Sequence, residues 1–445
     1  MARHDPITLS LRGRLAFALN RLREKLWVKP LLLCLVSLAG VALAQLADGL
    51  VPDLLLPDIS VDTLETLLRI ISSSMLVIAV FAAGSMLSAY ASAGTVATPR
   101  ALAVVLSDDV SQYALSTFIG AFIFGIVALI ALMNGLYGRT GRFALFLLTL
   151  LVFAVVVLSF VTWVDRIARL GRVTNTISRV EAVAARALLD RAQRPTLGAL
   201  PLVSPEPAGS VEVRSDQVGY LQRIDLGALQ LLAEMAEVQV SVRSLPGAFI
   251  TPSRVLARVW GEAAWDPDLP QRMADTFLIG EGRTFDDDPR FGLVVLSEIA
   301  SRALSPAVND PGTAIHVIGS FVRLFSRWAQ ACEERQGSAP VSPRYDRLRL
   351  PQLATADLLE DAFQALARDG AAALEVGLRL QKGLQRLSLL PLPGLAEAAR
   401  GQARLALAHG EQALRLEAER QRLRQAAAWI HQGAGPRPAP TLQPT

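Results

Sequence analysis

The chain has 445 residues, 52% of them hydrophobic and 19% charged, with a net charge of +4. Soluble domains are nearer a quarter charged, so membrane segments dilute a soluble part. The small basic excess is nearly all arginine (lysine occurs only at Lys25, Lys29 and Lys382) and in the polar half it is interleaved with acids, which excludes a nucleic-acid-binding face.

Residues 1–29 carry Arg3, Arg12, Arg14, Arg21, Arg23, Lys25 and Lys29, with Leu11, Leu15, Leu19, Leu22 and Leu26 at helical spacing. That pattern predicts a cytoplasmic basic amphipathic segment on an anionic leaflet. Four apolar runs follow within 30–164, at about Pro30–Ala47, Leu67–Ala91, Ala114–Met133 and Phe143–Val164. Each approaches the 20 or so residues needed to cross the hydrocarbon. Ala42-Leu43-Ala44 before Gln45 has the form of a signal-peptidase site, but the long basic region before it favours an uncleaved anchor.

Arg and Lys number seven before the first run, one between the second and third, and five just after the fourth, against two in the remaining loops. This asymmetry predicts a multi-pass membrane protein with both termini cytoplasmic. Within the second run, Gly84, Ser88 and Ser92 lie one turn apart beside Ser85 and Ala89. Small residues at that spacing let helix backbones approach closely, so Ile70–Gly94 is expected to be the central helix and a packing or pore-lining face. No run has an acid, Lys or His near its middle, which argues against an ion-coupled carrier. Asp108 and Asp109 suit the N-terminal dipole of the third run.

The periodicity continues past the membrane as a helical stalk over 165–194, then Pro195, Pro201, Pro205 and Pro207 mark a linker over 195–209. Residues 210–262 read as a small β-rich module turning at Leu245-Pro246-Gly247; it has no lysine of the kind a lipoyl or biotinyl carrier needs, so a structural adaptor is expected. A helical segment over 263–332 follows, then a connector over 333–355. Two long helical patterns, Ala356–Arg386 and Leu395–His431, predict a hairpin over 356–432 about Pro391-Leu392-Pro393-Gly394, before a disordered Pro-rich tail over 433–445.

The stretch Gly282–Ile315 carries the candidate site: Arg283, Asp286, Asp288, Arg302, Asn309 and Asp310. Asp310 before Pro311 is a helix N-cap signal. Three uses compete: caps and ion pairs of purely structural value, a divalent cation held by Asp286, Asp288 and Asp310, or a phosphate group at the second helix N-terminus helped by Arg283 and Arg302. The acid spacing matches no EF-hand, and there is no P-loop, G-x-S-x-G, H-E-x-x-H or paired C-x-x-C. No enzyme activity and no cofactor are therefore expected. Cys34 and Cys332 read as packing residues.

Two phrases, SAYASAGTVATPRAL (88–102) and RTFDDDPRFGL (283–293) with SPAVNDPGTA (305–314), resemble a bacterial family of predicted membrane proteins carrying a domain of unknown function. The family pattern has Gln-Asp where this chain has Asp287-Asp288. The resemblance implies four spans followed by a cytosolic domain, and no chemistry. The expectation is thus an α-helical membrane protein with a mixed α+β cytosolic domain ending in a helical hairpin. Two functions fit: a homo-oligomeric pore, or a membrane-anchored sensor or scaffold binding through Arg283, Asp288, Asn309 and Asp310. The expected partners are lipid and a second copy of the chain.

Overall fold

The computed structural model describes residues 28–46, 57–96, 98–101, 104, 109–169, 173–202, 209–261, 266–337 and 342–431. The basic segment, Asp108, the side chains of Ser92 and Asp109, and the Pro-rich tail lie outside the described residues. The chain divides into two compact units, one ending at Thr176 and one beginning at Ile177.

The first unit holds α1 (Val28–Leu46), α2 (Val61–Val96), α3 (Asp109–Met133) and α4 (Arg139–Arg169). Among the described residues, three helices are long and apolar enough to cross a membrane: Val61–Ala91, Ser111–Met133 and Arg139–Ile167. The expected first run folds as the shorter apolar helix α1, pinned by a Tyr137 hydroxyl that donates to the Val41 carbonyl at 3.3 Å.

The central helix is α3, a correction to the expectation for Ile70–Gly94. α3 touches α1, α2 and α4, and half of its apolar window is buried, against a third of that of α2. The cause is Gly125. A Cβ there would overlap the Ser72 hydroxyl and sit 3.3 Å from the Leu68 carbonyl, so only glycine admits this approach of α2. Gly84 and Ser88 face away from the unit, with nothing within 4 Å of a Cβ at Gly84, while Ser85 and Ala89 are half-buried. Hydroxyls inside the bundle satisfy themselves: Ser72 donates to the Leu68 carbonyl (2.7 Å), Ser116 to that of Gln112 (2.6 Å) and Thr149 to that of Leu145 (2.7 Å). Trp163 is packed among Phe81, Phe118 and Phe160 at centroid distances of 6.0–6.3 Å.

In the second unit, α5 (Val173–Gln193) follows residues 170–172, which are outside the description. It is packed as part of the unit's core and is no bare stalk: Ile177, Val180, Ala184 and Leu188 are buried. The strands β1 (Ala199–Pro201), β2 (Val211–Val213), β3 (Gly219–Ile224), β4 (Gln239–Val242), β5 (Phe249–Ile250), β6 (Ala257–Trp260), β7 (Phe277–Gly280) and β8 (Tyr345–Leu350) make two sheets. One has the order β1-β8-β4-β6-β2, the other β5-β3-β7. β8 pairs in parallel with both β1 and β4, so the larger sheet recruits strands from either side of 210–262. The buried face of these strands is Val213, Leu221, Val240, Val242, Val259, Leu348 and Leu350, closed by α6 (Leu226–Met235) and α7 (Leu269–Ala274).

The remaining helices are α8 (Pro289–Ala303), α9 (Pro311–Gln336), α10 (Thr355–Asp369), α11 (Leu374–Ser388), α12 (Leu395–Ala413) and α13 (Glu417–Ala427). The expected two-helix hairpin is therefore four helices. Gly370 ends the first arm, and Leu414–Leu416 break the second so that Leu423 can seat on Gly410. The turn at Pro391–Gly394 stands as expected, with Gly394 at φ +75°. Arg290 fastens α8 to α10 by a fork to Asp361 (2.5 and 3.0 Å) and a bond to Asp357 (3.0 Å). Arg323 forks onto Glu181 (2.6 and 2.7 Å), joining α9 to α5.

Candidate functional site

The charged residues of Gly282–Ile315 part to opposite ends of α8. This helix has 15 residues, so its ends stand about 22 Å apart at 1.5 Å per residue. Asp288 is the N-cap at one end; Arg302, Asn309 and Asp310 lie at the other. Asp310 caps α9, its Oδ1 accepting from the Thr313 N–H (3.1 Å) and its Oδ2 from the Thr313 hydroxyl (2.6 Å). The Thr313 hydroxyl and backbone hold its carboxyl below the ordinary range. Asn309 supplies the left-handed residue of that corner at φ +48°. The SPAVNDP phrase is thus a helix–helix corner. Nor do Asp286, Asp288 and Asp310 converge as a cation site: among the described residues no three His, Cys, Asp or Glu side chains stand together in that way.

The other end of α8 is a charged junction. Asp288 is 2% exposed and accepts from Arg290 N (3.1 Å), Phe291 N (3.2 Å) and Arg283 Nε (2.7 Å). The Arg283 guanidinium lies 5.2 Å over the Phe291 ring, which itself meets Phe285 at 4.6 Å. Burial nonetheless outweighs these partners and pushes the Asp288 carboxyl up. The turn Leu245–Gly247 closes on it from the sheet side: Gly247, at φ +94°, packs against the carboxylate, and a Cβ there would overlap both Asp288 oxygens.

Beside it stands Asp287, pushed up chiefly by burial, opposed by Arg223 and seconded by Asp286. Arg223 of β3 reaches it only at 3.6 Å. α5 completes the junction, because Ala184 crosses Gly292 so closely that a Cβ on the glycine would lie 2.5 Å from the alanine's. That contact brings the end of α5 toward Asp287 and Asp288, and with it Arg191, a residue the sequence analysis passed over.

Arg191 is 4% exposed, and its NH1 is enclosed without a hydrogen-bond partner among the described residues. Burial works against its charge, while Asp287, Asp190 and Asp288 attract it from beyond ion-pair distance. Each of those acids is engaged elsewhere: Asp190 by Arg194 (2.5 and 2.6 Å), Asp288 by Arg283, Asp287 by Arg223. A sequence signal existed. Ile177, Val180, Ala184, Leu188 and Arg191 share one helical stripe, so the period assigns an arginine to the buried face.

Comparison with known proteins bears on the whole chain. A 157-residue stretch is 32% identical to an uncharacterized protein of Mycobacterium bovis and, equally, to one of Mycobacterium tuberculosis, covering 31% of this chain and 30% of each relative. The match thus spans less than a third of the length of these curated relatives. No solved structure matches. The profile of the predicted membrane protein family DUF2254 matches residues 23–386, and the chain belongs to that family.

Proposed function

We propose that this chain is a membrane-anchored sensor whose α+β unit carries a ligand at the junction of Arg191, Arg223, Arg283, Asp287 and Asp288. In this reading α1 joins the three longer helices as a span in the bacterial inner membrane, and the Arg and Lys asymmetry sets both termini in the cytoplasm. One observation carries it: among the described residues, Arg191 is a buried guanidinium with an enclosed, unbonded NH1. Burying an unpaired charge costs several kcal/mol after relaxation, roughly, and such groups persist where a ligand completes them. Thermal unfolding of the detergent-solubilised full chain against a panel of anions, divalent cations and nucleotides tests this. A shift that grows with the logarithm of concentration is expected with one of them, and melting that no solute moves contradicts the proposal.

A second reading rests on Gly84 and Ser88, which the described residues leave uncovered on α2. In a homo-oligomer those faces meet around an axis, as a pore or channel-like conduit with the α+β unit as gate or collar. Ser88→Cys, in a chain with Cys34 and Cys332 replaced by serine, is then expected to cross-link in native membranes. Monomer alone after oxidation contradicts it.

A further inference from the structure

We infer that the ligand of this junction is a small oxyanion, a phosphate or carboxylate group seated on the guanidinium of Arg191; this rests on the sensor reading above and names its ligand class. Four arginines and four aspartates meet here, Asp286 beside Asp287 included, and the ion pairs use Arg194 for Asp190, Arg283 for Asp288 and Arg223 for Asp287. Among the described residues Arg191 is the one of the four arginines in no ion pair, and it is also the most deeply buried of them. Its planar fork matches two oxygens of a carboxylate or phosphate, and among the described residues no carboxylate forms an ion pair with it. The helix N-terminus of α8 is not the seat, since Asp288 already caps its first N–H groups. Arg194 and Arg223, 57% and 61% exposed in their side chains, provide the positive rim that draws an anion inward.

The experiment is thermal unfolding of the full chain in uncharged detergent with inorganic phosphate, with acetate, or with a short-chain anionic phospholipid, each against chloride at equal ionic strength. Phosphate or acetate is expected to raise the Tm with the logarithm of its concentration above Kd, by about 5 °C at a hundredfold excess over Kd. A rise with the phospholipid alone assigns the oxyanion to a lipid headgroup. Arg191→Met is expected to weaken binding about 100-fold or more, and Arg302→Gln at the far end of α8 to leave it unchanged. Without anion, Arg191→Met is expected to melt at or above the wild type, because it removes a buried charge that is in no ion pair among the described residues. A lower Tm for that variant, or an anion shift that survives it, overturns the assignment. A shift produced only by a divalent cation or nucleoside sinks the oxyanion and leaves the sensor standing, whereas no shift from any solute sinks both.

Discussion

The Asp288 carboxylate rests directly on Gly247, a residue 41 positions earlier whose φ of +94° and missing side chain are both required for the contact. The β-rich part and the α8 helix are therefore joined through a buried charge rather than through an apolar face.

Gly247→Ala tests that joint. The substitution meets a positive φ, costing about 1–3 kcal/mol, and also displaces Asp288 from Arg283. Denaturant unfolding of the solubilised chain is expected to show a loss of at least the upper part of that range. A loss below about 1 kcal/mol would mean the turn moves freely.

Arg283→Met leaves Asp288 buried with only its two cap donors. Removing one partner of a buried pair costs about 3–5 kcal/mol, and adding Asp288→Asn to the same chain is expected to recover part of it. Additive losses in the double variant would show that the two side chains do not interact.

The pH dependence follows from Asp287. Its folded carboxyl lies above the ordinary 3.8 because burial disfavours the charge. The folded state then holds the proton more tightly than the unfolded one, so this stabilising contribution is present below the ordinary value and is lost as pH climbs through the raised one. Asp287→Asn is expected to gain on the wild type across that window and to keep the gain at neutral pH. A variant that instead falls further behind as pH rises would contradict the assignment.

In the membrane unit the expected contrast is between two glycines. Gly125→Val forces bulk between α3 and the Leu68–Ser72 turn of α2 and is expected to abolish the folded monomer or cost about 1–3 kcal/mol or more. Gly84→Val meets open space and is expected to leave monomer stability unchanged. Equal sensitivity at the two sites would contradict the placement of α3 at the centre.

These particulars show where the sequence was legible. Length and apolarity gave the membrane helices, and Asp310-Pro311 gave the start of α9, because capping and hydropathy are local properties. The small-residue ridge of Gly84 and Ser88 drew attention from Gly125, since spacing alone does not reveal which of two glycines meets a neighbour. The candidate site was half legible. Arg283 and Asp288 do meet, five residues apart, but Asn309 and Asp310 stand a helix length away. Arg191, Arg223 and Gly247 come from three other elements, and such convergence is set by packing, above all by Ala184 against Gly292. Strand β8 was missed for the same reason, its partners lying about a hundred residues or more earlier in the chain.

The most direct measurement is hydrogen exchange on the full chain with and without saturating phosphate or acetate. Slower exchange confined to the end of α5 around Arg191, to β3 around Arg223 and to the 283–291 segment is the predicted result. Unchanged exchange in all three, with the anion present at about a hundredfold excess over the Kd fitted from the thermal shift, would contradict the account.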